Sequence, residues 1–406
     1  MTQRFDLAVI GLGLIGSGAT RHAAVSNELT VVGIGPGEPA SFDDYDGPFA
    51  SHYDSGRITR RLDAKREWAV LASRSIEQYR FIEASSGIAF HEPCGLMFVR
   101  NDQTGIANQR EVADQLEIPV TIEPAEQRRA SMPQLHFPDE YTTLYEPGPA
   151  GFIDPRRLVA AQQHAARAAG ATVLNDVVDA LEIVDDSFQL TLRSDQRMSA
   201  QRVIVATGAY GNTLLPENDH LAAAVRPEAV VKGEVSEATA QTLDIPSFIY
   251  LLDNEFFDDV YVVPPTQYPD GRWYIKIGGS RAGAVAAASG EDLTAWMQGA
   301  DADEQIAPMR DVLTSVLPDV DFLSWSAKPC LITDTESGLP FVDIIAPGLT
   351  VAFGGNGHAA KSSDAIGQLA ARLAIEGRWT DLELDAEKFR CHRGVYHPPD
   401  GSRHGT

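Results

Sequence analysis

The chain has 406 residues, more than the roughly 100–200 of a typical domain, so two domains or one large elaborated α/β unit are expected. Hydrophobic residues make up 44% and charged residues 22%, which excludes disordered and collagen-like chains. The 33 basic and 57 acidic side chains leave a formal charge of −24, which repels phosphate backbones and argues against a nucleic-acid partner.

Three cysteines, Cys94, Cys330 and Cys391, are too few and too scattered for a disulfide framework or a CxxC metal site, so no metal is expected. The opening residues show neither the apolar region nor the cleavage site of a signal peptide. No later segment offers the roughly 18 consecutive apolar residues of a membrane span. The expectation is a soluble cytoplasmic protein without a membrane partner, monomeric or a small homo-oligomer.

In chain order, Phe5 to Ile10 is apolar apart from Asp6 and suits a parallel strand buried on both faces. Gly11-Leu12-Gly13-Leu14-Ile15-Gly16 supplies a turn, Ile15 to Ala24 reads as a helix, and Leu29 to Ile34 as the next strand. From Arg66 to Glu83, apolar Trp68, Leu71, Ala72, Tyr79 and Ile82 recur at helical spacing. Asp154, Pro155 and Gly170 bracket another helix as N-cap, first position and terminator. Ala171 to Leu174 and Arg202 to Ala206 read as strands.

Residues 218 to 325 differ in character, with alternating stretches such as Phe256 to Val263 and Trp273 to Ile277 between turns, which predicts a mostly antiparallel sheet. Leu349 to Phe353 is a strand, followed by glycines and a helix presenting Ile366, Leu369, Ala370 and Leu373 on one face. Pro398 to Thr406 reads as a loose tail.

A strand running into GxGxxG and a helix has a physical use. The first glycine, Gly11, permits the tight turn; Gly13 lets backbone approach a pyrophosphate; Gly16 lets helix and strand pack closely. The helix N-terminus adds partial positive charge toward the phosphates. The acidic residue that usually meets the adenosine ribose is missing from the end of the second strand, where Val32 to Glu38 reads VGIGPGE. Either Glu38 reaches the ribose from a longer loop or backbone groups substitute. NAD and FAD both use such a loop. Two further segments favour FAD: the buried strand Val203 to Ala206 running into Thr207-Gly208, and Gly354-Gly355-Asn356-Gly357-His358 before the last long helix, whose amides can stabilise negative charge on a flavin.

With these elements at its start, middle and end, the chain resembles the D-amino-acid oxidase superfamily, and within it the monomeric sarcosine oxidase and N-methyltryptophan oxidase group. The resemblance spans nearly the whole length. It also rests on Ser51 to Arg60 (SHYDSGRITR), Tyr145-Glu146-Pro147, Tyr274 to Gly278 (YIKIG), Cys330 to Thr335 (CLITDT) and Gly354 to Lys361. The fold it implies is α/β: a Rossmann-like FAD-binding domain of the glutathione-reductase type, with a second, mainly antiparallel, α+β substrate domain. Residues 1–85, 146–217 and 326–390 are expected to build the first, 86–145 and 218–325 the second, and 391–406 the tail.

The resemblance further implies a covalent bond from Cys330 to the flavin, although a lone cysteine is more often a small buried hydrophobe. Arg60 and Lys361 match a pair that clamps the substrate carboxylate, a planar fork plus a mobile point charge. Lys276 matches a lysine placed through water near flavin N5 to promote reaction with oxygen, and Arg57 and His358 match other flavin-proximal positions. Tyr261 matches a retained substrate-site aromatic, and Val178 joins the cofactor-binding set. Two lining positions depart: the family's histidine is Ser280 and a tyrosine is Ile332, which puts sarcosine itself in doubt.

The expected reaction is hydride transfer to FAD from the carbon beside the nitrogen of a small secondary or primary amine, an N-methyl or cyclic amino acid by preference. Imine hydrolysis and reduction of O2 to hydrogen peroxide follow. Alternatives are a 2-hydroxy-acid substrate, an electron acceptor other than oxygen, or a non-catalytic flavin-binding protein.

Overall fold

The computed structural model describes residues 3–397 apart from 27–28, 216–219, 253, 282–289 and 300–301. The expected tail, 398–406, lies outside the described residues.

The first strand, Gln3–Ile10, lies parallel between Arg197–Val205 and Val31–Gly35 at the centre of an eight-stranded sheet. Thr172–Asn175 and Leu349–Phe353 extend the parallel part on either side. From Leu7 onward successive residues enter opposite cores, Leu7 and Val9 packing with the helices and Ala8 and Ile10 beneath, where Phe5 also packs. Asp6 is the fourth residue of the strand, and its carboxylate accepts hydrogen bonds from the backbone N–H (2.8 Å) and hydroxyl (2.7 Å) of Thr30, just ahead of the second strand, which starts at Val31 rather than Leu29.

The predicted helices form as Leu14–Val25, Arg66–Ser86 and Pro155–Ala168, the last with Asp154 accepting from the Arg157 amide at 2.9 Å. The last long helix, Ala359–Glu376, crosses the first almost without side chains between them. A Cβ on Gly367 would lie 2.8 Å from the backbone of both Gly18 and Ile15. Beside this crossing Asp364 accepts from Arg21 at 2.8 Å and from Gln162 at 2.7 Å, with His22 at 3.2 Å, all well removed from solvent.

A second eight-stranded sheet runs in the order Ser324–Thr335, Ala223–Val235, Trp273–Arg281, Phe257–Gln267, Ser247–Tyr250, Leu96–Arg100, Thr142–Glu146, Thr121–Glu123. It is antiparallel except where Ser247–Tyr250 meets Leu96–Arg100. Helix Ile306–Val316 covers one face through Met309, Leu313 and Val316. A three-stranded sheet, Arg57–Thr59, Gly151–Ile153 and His91–Glu92, holds the loop that follows Thr59 in place. Among the described residues no helix is long and apolar enough to cross a membrane, and no group of His, Cys, Asp and Glu side chains is arranged to hold a metal ion.

Burial alone would raise the pKa of Asp364, yet its bonds to His22, Arg21 and Gln162 bring it below the usual carboxylate value. Asp364→Ala should therefore cost about 3–5 kcal/mol, because Arg21 is left buried without its partner. The advantage of the parent over the variant should be complete above the unfolded-state pKa of about 3.9 and shrink as the pH falls below it toward the lower folded-state value. Urea midpoints at pH 7 and pH 3 measure both effects; equal midpoints at pH 7 would refute them.

Candidate active site

A single cavity of about 1080 Å³ runs from the glycine turn of the first strand to the inner face of the second sheet. That is just above the roughly 300–1,000 Å³ of small-molecule sites, as an extended cofactor plus a substrate requires.

At the turn, Gly11 adopts φ +96°, and a Cβ on Gly16 would overlap the Gly11 carbonyl oxygen, so the strand-to-helix corner closes only with glycine at both positions. Gly13 is different: a Cβ there would have nothing nearer than His52 Nδ1 at 3.9 Å, and this open side faces the cavity. His52 is buried, its Nδ1 has no hydrogen-bond partner, and burial with the charges of Arg156 and Lys328 lowers its pKa to about 3. An unpartnered ring nitrogen beside open backbone fits the pyrophosphate of a dinucleotide, to which the Nδ1–H tautomer can donate. Val178, Thr207, Gly208, Gly355 and Gly357 line the same cavity.

Three of the predicted residues are placed elsewhere. Gly16 acts in packing, as its spacing implied. Glu38 is off the cavity lining and forms a two-pronged ion pair with Arg156, both contacts 2.6 Å, because a partly exposed carboxylate next to a guanidinium gains more from that fork than from reaching inward. Lys276 lies behind the wall. Its ammonium donates to Asp54 at 2.7 Å and to the Gly56 carbonyl, with the Tyr261 ring 5.2 Å away. Burial and the charge of Arg57 hold Lys276 well below the usual lysine pKa. Asp54 also accepts from Arg57 and, at 2.8 Å, from Tyr268, so one carboxylate fixes both cations.

Arg57 itself lines the cavity, with a guanidinium nitrogen 3.6 Å from Cys330 Sγ. Cys330, on strand Ser324–Thr335, is the cysteine that lines the cavity; Cys94 and Cys391 pack into the surrounding cores.

The predicted carboxylate clamp converges on a group that pattern reading missed, Asp63. Its Oδ2 accepts from Lys361, lies 3.1 Å from His358 Nδ1 and 3.4 Å from an Arg60 amino group. Burial would raise the pKa of Asp63, but Lys361, His358 and Arg60 hold it well below the usual range. Burial lowers His358 to about 4, so the ring is neutral at pH 7, and since a carboxylate only accepts, Nδ1 carries the hydrogen. The ring stacks on Trp68 at 5.0 Å, and Trp68 is itself pinned by its indole N–H to the Gly338 carbonyl. Burial, reinforced by Arg60, brings Lys361 down to about 8. Two cations and one anion leave the cluster at one net positive charge near neutrality. The Arg60 Nε is buried without a partner, and its guanidinium lies over the Phe98 ring at 5.0 Å.

The family model described as FAD dependent oxidoreductase matches residues 6–373. A monomeric sarcosine oxidase from Streptomyces avermitilis is 25% identical over 384 residues, covering 93% of this chain and 95% of that protein. An N-methyl-L-tryptophan oxidase from Yersinia pestis is 28% identical over 215 residues, 52% of this chain and 56% of that one. Among solved structures, the open form of NikD, an unusual amino acid oxidase essential for nikkomycin biosynthesis, has a TM-score of 0.76 at 18% identity, covering 98% of this chain and 100% of that chain. The match spans both the glycine turn at the chain start and the His358 and Lys361 segment near its end, and the chain belongs to the FAD-dependent oxidoreductase family, with FAD as its cofactor.

Proposed function

We propose that the protein oxidises the carbon–nitrogen bond of a small amino acid held by its carboxylate. The observation that carries this is the Arg60–Lys361–Asp63 cluster, with one net positive charge and a buried, unpartnered Arg60 Nε beside the cavity. A carboxylate supplies the missing acceptor and cancels the charge. The sarcosine oxidase, N-methyl-L-tryptophan oxidase and NikD names of the relatives support an amine-bearing acid as the substrate.

FAD supplies the two-electron acceptor for the hydride leaving the substrate carbon. The chain's own residues bind and orient. Arg60 and Lys361 take the carboxylate, His358 is held flat between Trp68 and Asp63, and Tyr261 covers the substrate from the second sheet. The reacting amine must be neutral to release its lone pair as the C–H bond breaks. The imine formed is hydrolysed by water, and O2 takes the electrons to give hydrogen peroxide. Arg57 provides positive charge for that step, and Lys276, one layer back through Asp54, is a positioning residue for it. We assign residues 1–85, 146–217 and 326–390 to cofactor binding and 86–145 with 218–325 to substrate binding. Strand Ser324–Thr335, which hydrogen-bonds in the second sheet, carries Cys330 at the seam.

Arg60→Met should leave flavin binding intact and lower the rate of anaerobic flavin bleaching per unit amino acid by about 30-fold or more, the size expected from the roughly 2–5 kcal/mol cost of truncating one partner of a buried charge pair. Unchanged bleaching would remove the clamp from the mechanism. The same assay with 2-hydroxy acids, and peroxide measured in air, tests substrate class and acceptor.

Cys330 is the attachment point of the flavin in this reading. After denaturation and precipitation the yellow chromophore should stay with the parent chain and pass to the supernatant for Cys330→Ser. Release of all colour from the parent would show non-covalent binding.

A further inference from the structure

One wall of the cavity carries a carboxylate that the reaction does not use. Asp259 pairs in the ladder with Ser280, and Tyr261 with Gly278, which pairs in turn with Val230. Residues two apart share a sheet face, so Asp259, Tyr261, Glu228 and Arg226 belong to one face, the one toward the cavity. Glu228 pairs with Cys330, and Ala224 with Asp334, which extends the row across the neighbouring strand. Arg226 is committed within it: its Nε donates to Asp334 at 3.0 Å and an amino group donates to Glu228.

Asp259 is left over. It is 4% exposed and lines the cavity, and among the described residues nothing donates to its Oδ2. Its carboxylate accepts a side-chain hydrogen bond from the Ser280 hydroxyl. Asp259 therefore stands apart from the Arg226 pairs, a cavity carboxylate opposite in sign to the Arg60–Lys361 cluster. The two share a cavity, and the charge of Asp259 is felt at Arg60. Burial raises the pKa of Asp259 to about 7, against the opposing effects of the Ser280 hydroxyl and the charge of Arg226.

We propose that Asp259 binds a second, positively charged group of the substrate, so that the preferred substrate is a basic amino acid: its carboxylate on Arg60 and Lys361, its side-chain ammonium or guanidinium on Asp259. The inference rests on the carboxylate-clamp reading above. The reacting nitrogen is the poorer candidate for this contact, because it must be neutral when the C–H bond breaks and a dry carboxylate against it would stabilise its protonated form. A side-chain cation has no such conflict, and it satisfies the orphan oxygen.

The test is calorimetric titration of the oxidised holoenzyme with both enantiomers of lysine and arginine and of their uncharged counterparts norleucine and citrulline, run beside anaerobic bleaching. In the parent, the basic member of each pair should bind on the order of 10–100-fold more tightly, the range of a desolvated charge pair. Asp259→Asn, which keeps the shape and the Ser280 contact, should erase that preference and leave norleucine binding unchanged. Equal binding of lysine and norleucine by the parent, or an equal loss of both in Asp259→Asn, overturns the inference. If the variant does not fold, the comparison within the parent decides. A lysine preference that depends on Asp259, without bleaching by any amine, would leave this inference standing and overturn the proposed oxidation. Bleaching by norleucine as fast as by lysine, with equal binding, would do the opposite.

Discussion

Helix Leu14–Val25 and helix Ala359–Glu376 touch backbone to backbone at Gly18 and Gly367, and the arrangement of the site depends on that crossing. Small residues let the two helices approach until no side chain separates them, and the Asp364–Arg21–Gln162 bonds fix their angle. The consequence is geometric. The N-terminus of the later helix, carrying His358 and Lys361, is delivered to the cavity that the glycine turn opens at the N-terminus of the earlier one. Segments almost as far apart in the chain as the described residues allow thereby become neighbours.

Charge is distributed in the cavity by placing each carboxylate where it organises cations rather than cancels them. Asp54 binds Arg57 and Lys276 together, and Asp63 binds Lys361 and Arg60 while orienting His358. In both cases two cations share one anion, so a positive remainder stays available to an anionic group of substrate or cofactor. Asp259 differs, lining the same cavity with one carboxylate oxygen unpartnered. A positive remainder and an unmatched carboxylate within one cavity impose a direction on a bound zwitterion, because turning it end for end would set like charges against each other at low dielectric.

Much of the chain was legible from pattern. The double-sided burial of residues 5–10 follows from their apolar run, the bracketed helix from Asp154 and Pro155, and the strand Leu349–Phe353 from its composition. The glycine spacing announced a corner that closes only without side chains, which is what the overlap at Gly16 shows. Other residues were legible only through resemblance. Arg60 and Lys361 are ordinary surface-type residues by composition, and nothing local says that both are buried.

Asp63, Asp54 and Asp259 carried no signal of their own. Asp63 stands three residues after Arg60, a spacing that acquires meaning only when the loop folds back on Lys361, and Asp54 sat inside a quoted motif without a role. Asp259 looks like one acid in an acidic chain until the ladder sets it beside Ser280 and the cavity closes over it. Glu38 shows the same limit from the other side: chain position leaves open whether its carboxylate or backbone groups meet the ribose, and only the fold shows it paired with Arg156, 118 residues later, off the cavity lining. By itself the sequence determined the strand, turn and helix units and the chemistry available to them, because those depend on short-range sterics and periodicity. Which charges face one another was decided by tertiary structure alone, because a pairing depends on how distant segments pack, and packing leaves no local trace in the residues that it brings together.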